Sequence, residues 1–96
     1  TLKVNFDPAN AMDGGDDPVE DVYDLQEWII HTHAKDGLTQ PWRETPLGRG
    51  GVEWESYIAA LREIGYDGFL TIEREAISDP VNDIAAAKDF LARLLV

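Results

Sequence analysis

Asp7, His33 and Glu73 stand at comparable places in the 96-residue chain, each at or beside the end of a short apolar run. The runs are Leu2–Phe6, Trp28–Ala34 and Phe69–Ile72, and all three read as β-strands. Two carboxylates and an imidazole form a hard, mixed donor set. It suits Mn²⁺, Mg²⁺, Co²⁺ or Zn²⁺ better than a soft, thiophilic ion. Each residue alone has a plainer explanation: Asp7 before Pro8 as a turn residue, His33 as a satisfied core histidine, Glu73 as a solvated strand end. The coincidence of three such ends is what favours a site.

Side chains alternate along a strand, so faces follow from parity. Asn5 and Asp7 share a face opposite Val4 and Phe6. His31, His33 and Lys35 share a face opposite Ile30, Thr32 and Ala34, and Thr71 and Glu73 lie opposite Leu70 and Ile72. Each strand thus ends with a metal-capable or ionisable residue directed away from its apolar, helix-facing side. In a barrel that direction is inward, and active sites lie at the C-terminal strand ends.

Each strand is followed by a polar loop and a stretch of helical character. Asp17 is a good N-cap with Pro18 at the first helical position, and Val19, Val22 and Tyr23 supply that helix's apolar positions. Trp54, Tyr57, Ile58, Leu61 and Ile64 form a single stripe, stopped by Gly65, with Trp54 and Tyr57 read as core residues. A third helix begins near Pro80 after Asp79 and carries Ile84, Ala87, Leu91, Leu94 and Leu95 on one face. This βαβαβα order implies a parallel sheet or part of a (β/α) barrel within one domain, residues 1–96. Three strands bury little by themselves, so the pattern reads as a fragment or as a unit that needs a partner.

The connection from Lys35 to Gly51 is long for this kind of unit. Lys35 and Arg43 are candidates to meet a sugar hydroxyl or phosphate, and Trp42 to stack on a sugar ring. For Arg43 and Trp42 a solvated loop is the simpler reading. Gly48-Arg49-Gly50-Gly51 reads as a turn rather than a phosphate cradle, because no strand immediately precedes it and Glu53 replaces a pattern glycine. Asp13, Asp16 and Asp17 lack the ligand spacing of a calcium loop and read as a solvated loop with a helix cap.

Composition narrows the function further. Eight Lys and Arg against 19 Asp and Glu give a net charge of -11, which argues against nucleic acid and anionic membrane surfaces. No Cys is present, so thiolate catalysis, disulfides and Cys-type zinc sites are excluded. No apolar run nears the roughly 18 residues of a membrane span, and no signal peptide opens the chain, so a cytoplasmic location is the default.

The blocks VNFDPAN (Val4–Asn10), HTHAKD (His31–Asp36), PLGRGGVEW (Pro46–Trp54) and GYDGFLTIERE (Gly65–Glu75) resemble consecutive segments of the sugar phosphate isomerase/epimerase family. The resemblance implies the last three βα units of a xylose isomerase-like (β/α)₈ TIM barrel, an α/β fold. It further implies a single divalent metal, with Mn²⁺ the first choice, held by Asp7, His33 and Glu73. A fourth ligand, a Glu, would belong to a strand before Thr1. By the same match Asn10 falls where many relatives have a substrate-contacting His, and His31 falls behind the ligands, in hydrogen-bond support or core packing.

The expected activity of the intact protein is metal-dependent isomerisation or epimerisation of a sugar or sugar phosphate through an enediolate, with Glu73 as an acid/base. A polyol or keto-sugar dehydratase and an inactive, partner-requiring fragment are the alternatives. Abasic-site nucleases share the fold, but two histidines and the acidic charge sit badly with clustered zinc on DNA. Expected partners are a second copy of the chain or the missing N-terminal part of the barrel.

Overall fold

A computed structural model describes residues 4–68, 70–72 and 80–95. Strand β1 (Val4–Phe6) leads into helix α1 (Pro8–Asp13) and then α2 (Pro18–Asp24). Strand β2 (Ile29–Ala34) is followed by a small antiparallel hairpin, β3 (Asp36–Leu38) and β4 (Arg43–Thr45). Helix α3 (Trp54–Glu63), strand β5 (Leu70–Ile72) and helix α4 (Pro80–Leu95) complete the order.

The three longer-range strands form one parallel sheet in the order β1-β2-β5, so spatial order follows chain order as it does along the wall of a barrel. Phe6 registers with Thr32, and His33 with Thr71. The parity expected from sequence holds at the C-terminal half of the sheet, where Phe6, Thr32 and Ala34 are buried on one side. Phe6 stacks on Tyr57 of α3 with ring centroids 6.1 Å apart, and Trp54 meets Tyr57 edge-on at 5.7 Å. Trp54, Tyr57, Ile58 and Leu61 are all buried, so the α3 stripe packs on the strands as its spacing dictates.

Both predicted helix signals are seen. The Asp17 carboxylate accepts the Val19 N–H at 2.9 Å, and Gly65 closes α3 with φ of 78°. Several expectations need correction. Asp7-Pro8 opens a helix, α1, where a polar loop is predicted. Within the Lys35–Gly51 connection, two three-residue strands pair across a hairpin, and β4 ends at Thr45 just ahead of the glycines. Ile30, placed on the apolar side, is 53% exposed because it lies by Ile64 and Gly65, where α3 has already ended. On α4, Ala87 and Leu91 are buried but Ile84 is 45% exposed, since only one shoulder of the stripe meets α3 and β5. Phe69 and Asp79 lie outside the described residues.

Candidate metal centre at the strand ends

Asp7 is the residue after β1 and the N-cap of α1. Its Oδ1 accepts the backbone N–H groups of Ala9 at 2.9 Å and Asn10 at 3.1 Å. Pro8 at the first helical position donates no N–H and supplies a compatible φ, so the strand turns into a helix within one residue. That tight turn holds the carboxylate at the C-terminal edge of the sheet. Because Phe6 registers with Thr32, the next residues along the two strands, Asp7 and His33, come to neighbouring positions at that edge.

His33 sits between His31 and Lys35 in sequence and beside Thr71 in the sheet. The His31 and His33 rings pack edge to face with centroids 5.3 Å apart. Nε2 of His31 lies 2.8 Å from Oγ1 of Thr71, so the ring of His31 is tied to the next strand. A bonded, packed His31 beside His33 fixes the space in which the His33 imidazole turns.

Lys35 is 7% exposed at the end of β2, whereas Arg43 is exposed at the start of β4. Asn10 is exposed on α1, and Trp42 is half-buried with its ring against Gly37. Register thus places Asp7 and His33 at neighbouring strand ends, His31 packs on His33, and Lys35 follows His33 by two residues. Arg43 stands apart on the hairpin. Glu73 lies outside the described residues. Among the described residues no group of three His, Cys, Asp or Glu converges to hold a metal ion. The two described donors, one carboxylate and one imidazole, have the chemistry of a hard or borderline divalent site and fit such an ion in kind.

The hydroxyl of Tyr57 lies on the opposite, helix-facing side. Burial pushes it far above its ordinary value, with only partial offset from nearby Thr32. Neither hydroxyl finds a well-aligned hydrogen bond among the described residues. An apolar groove of about 400 Å³ between α3, α4 and β5, lined by Ile58, Leu61, Leu91 and Leu95, also belongs to the helix side. It offers no donor set and is distinct from the strand-end edge.

One residue of the HTHAKD block escaped the sequence reading. Asp36 is fully buried, and its carboxylate accepts five hydrogen bonds. Oδ1 takes the N–H groups of Gly37 at 2.9 Å and Val52 at 3.1 Å. Oδ2 takes those of Gly48 at 2.9 Å and Gly50 at 3.2 Å, and the indole N–H of Trp54 at 2.8 Å. The glycine turn does surround an anion, and that anion is the chain's own carboxylate. The available signal was a lone Asp followed by Gly, a glycine-rich turn and a Trp within 18 residues.

The family model for xylose isomerase-like TIM barrels matches residues 1–94. The chain belongs to the xylose isomerase-like TIM-barrel family. A solved xylose isomerase domain protein from Planctomyces limnophilus superposes with a TM-score of 0.87 at 41% identity, over 97% of this chain and 37% of that one. A D-tagatose 3-epimerase-like protein superposes with a TM-score of 0.83 at 32% identity, over 98% of this chain and 34% of that one. In sequence, an uncharacterized protein of Methanocaldococcus jannaschii is 34% identical over 93 residues, covering 94% of this chain and 31% of its own length. The L-ribulose-5-phosphate 3-epimerase UlaE of Salmonella paratyphi C is 34% identical over 65 residues, 66% of this chain and 23% of that enzyme. The chain therefore spans about a third or less of the family members it matches. Within the family its parallel β1-β2-β5 sheet is an arc of the barrel wall, and its relatives include sugar epimerases. No helix among the described residues is long and apolar enough to cross a membrane.

Proposed function

We propose that this chain supplies the metal-bearing C-terminal edge of a sugar or sugar-phosphate epimerase or isomerase. The observation that carries the reading is the adjacency of Asp7 and His33 at the C-terminal ends of neighbouring parallel strands, in a family whose relatives include epimerases. Asp7, His33 and Glu73 would hold one divalent cation, Mn²⁺ first and Mg²⁺, Co²⁺ or Zn²⁺ otherwise, together with a carboxylate from outside these 96 residues. When bound, such an ion supplies Lewis acidity for adjacent carbonyl and hydroxyl oxygens of a sugar.

The protein's own groups do the rest. Glu73 would move a proton at the carbon beside the carbonyl from one face of the sugar, and the carboxylate from outside these 96 residues would do so from the opposite face. Removal by one and delivery by the other through an enediolate inverts the centre, while delivery to the neighbouring carbon moves the carbonyl. His31, bonded to Thr71, holds the His33 ring in place. Lys35 would supply positive charge for a phosphate or hydroxyl, Arg43 would add to it only from its separate place on the hairpin, and Asn10 would offer an amide at the first turn of α1. The outer strands β1 and β5 each have a single neighbour in the described sheet, and we assign their open edges to the rest of the barrel or, failing that, a second copy.

The test is epimerisation of L-ribulose 5-phosphate and D-tagatose by the whole protein loaded with Mn²⁺. The reading expects turnover that Glu73→Gln lowers at least a hundredfold even at Mn²⁺ concentrations that fill its weakened site. Wild-type turnover in Glu73→Gln would remove the acid/base assignment.

A further inference from the structure

Asp36 has no part in the proton transfer described above, yet its buried carboxylate accepts five hydrogen bonds. Its five donors come from three separate pieces: the start of β3, the turn from Gly48 to Val52, and the first residue of α3. Further restraints converge on the same place. The Gly51 N–H donates to the Gly37 carbonyl at 2.7 Å. A Cβ on Gly50 would collide with the Asp36 carboxylate and lie 2.6 Å from the Gly37 nitrogen. A Cβ on Gly37 would collide with the Trp42 ring and lie 2.9 Å from the Arg43 carbonyl. Neither glycine admits a side chain, so carboxylate, turn and hairpin fit as one packed unit.

That unit begins three residues after His33 and one after Lys35. It holds both ends of the hairpin that carries Trp42 and Arg43. We propose that Asp36 is the positioning residue of the substrate-side loop. Its carboxylate fills the backbone cradle that would otherwise admit a free anion. In doing so it fixes Lys35, Trp42 and Arg43 relative to the strand ends. The inference rests on the proposed function, because only a sugar ligand at that edge gives the fixed loop something to meet. Asparagine cannot replace the aspartate, since an amide offers one acceptor oxygen and would turn an N–H toward donors.

The experiment compares wild type, Asp36→Asn and Trp54→Phe in the whole Mn²⁺-loaded protein. The readouts are Mn²⁺ affinity, KM and kcat for L-ribulose 5-phosphate, and amide exchange at positions 37, 48, 50 and 52. The expected result for Asp36→Asn is a KM raised at least tenfold and faster exchange at those amides, with Mn²⁺ affinity within about threefold of wild type. Trp54→Phe, which removes one donor of five, shifts KM in the same direction by less and guards against Asp36→Asn failing to fold. An unchanged KM in both variants overturns the inference, and so does a loss of Mn²⁺ affinity in step with KM. Absence of wild-type turnover with Mn²⁺ bound instead overturns the substrate reading. In that case amide exchange as slow in Asp36→Asn as in wild type overturns the positioning role by itself.

Discussion

The carboxylate of Asp36 accepts the indole N–H of Trp54 at 2.8 Å, joining the end of the second strand's segment to the first residue of α3. The hairpin and glycine turn between residues 18 positions apart are closed into a loop by that bond and the four backbone N–H groups around the same carboxylate. A buried carboxylate with every lone pair engaged stabilises the loop only while all partners remain, because each orphaned donor costs its own desolvation.

Asp36→Ala removes the acceptor and leaves buried N–H groups unpaired. The expected loss is about 2–5 kcal/mol, since a buried N–H left without an acceptor costs about 1–3 kcal/mol and several are orphaned at once. Urea unfolding followed by tryptophan fluorescence measures it. A loss under about 1 kcal/mol would show that water satisfies the cradle in place of the carboxylate.

Gly48 has φ of 85°, and a Cβ there would lie 2.6 Å from Cε1 of Phe90. Strain and overlap act together, so Gly48→Ala should cost about 1–3 kcal/mol. The urea midpoint should fall while the dependence on denaturant stays unchanged.

Much of this fold is legible from residue order, and what is not has a physical cause. The strands β1, β2 and β5 show through parity and β-branched content. Helix α3 shows through its stripe and Gly65, and α2 through Asp17-Pro18. Helix α1 carries the same Asp-Pro signature but is six residues long and rich in small residues, so no apolar stripe marks it. The hairpin strands are three residues each and contain Gly37, Arg43 and Glu44, which leaves no alternation to read. Asp7 and His33 are legible as a pair because parallel strand ends coincide in space. Asp36 is not, since its burial comes from Gly48, Gly50, Val52 and Trp54, far along the chain.

Tyr57 is fully buried, and its hydroxyl keeps its proton well above the ordinary range. An unfolded tyrosine releases its proton near pH 10, so the folded state holds more protons above that point. Stability contributed by the neutral phenol is therefore complete below about pH 10 and falls as pH rises beyond it. Ultraviolet titration should show the Tyr57 phenolate appearing only together with unfolding. Tyr57→Phe should abolish that coupled step and change neutral-pH stability by no more than about 1 kcal/mol, since the hydroxyl lacks a good partner.

Thr71 anchors His31 across the strand boundary, and His31 packs on His33. Loss of an orienting group behind a metal ligand usually weakens metal binding about 10- to 100-fold. His31→Ala is expected to fall in that range, with Thr71→Val following at the lower end. Calorimetric titration with Mn²⁺ reads both, and affinities equal to wild type would make His31 a packing residue only.

Asp7, His33 and Glu73 are proposed to hold one divalent cation, which Mn²⁺ titration followed by electron paramagnetic resonance can count and weigh. The expected result is one Mn²⁺ per chain in the whole protein, with affinity lowered at least tenfold by Asp7→Asn, His33→Ala or Glu73→Gln. Asparagine caps a helix about as well as aspartate, so weakened binding in Asp7→Asn reports the lost ligand and not a lost α1. Unchanged Mn²⁺ affinity in His33→Ala would mean that this imidazole does not bind the ion and that the strand ends do not form the site.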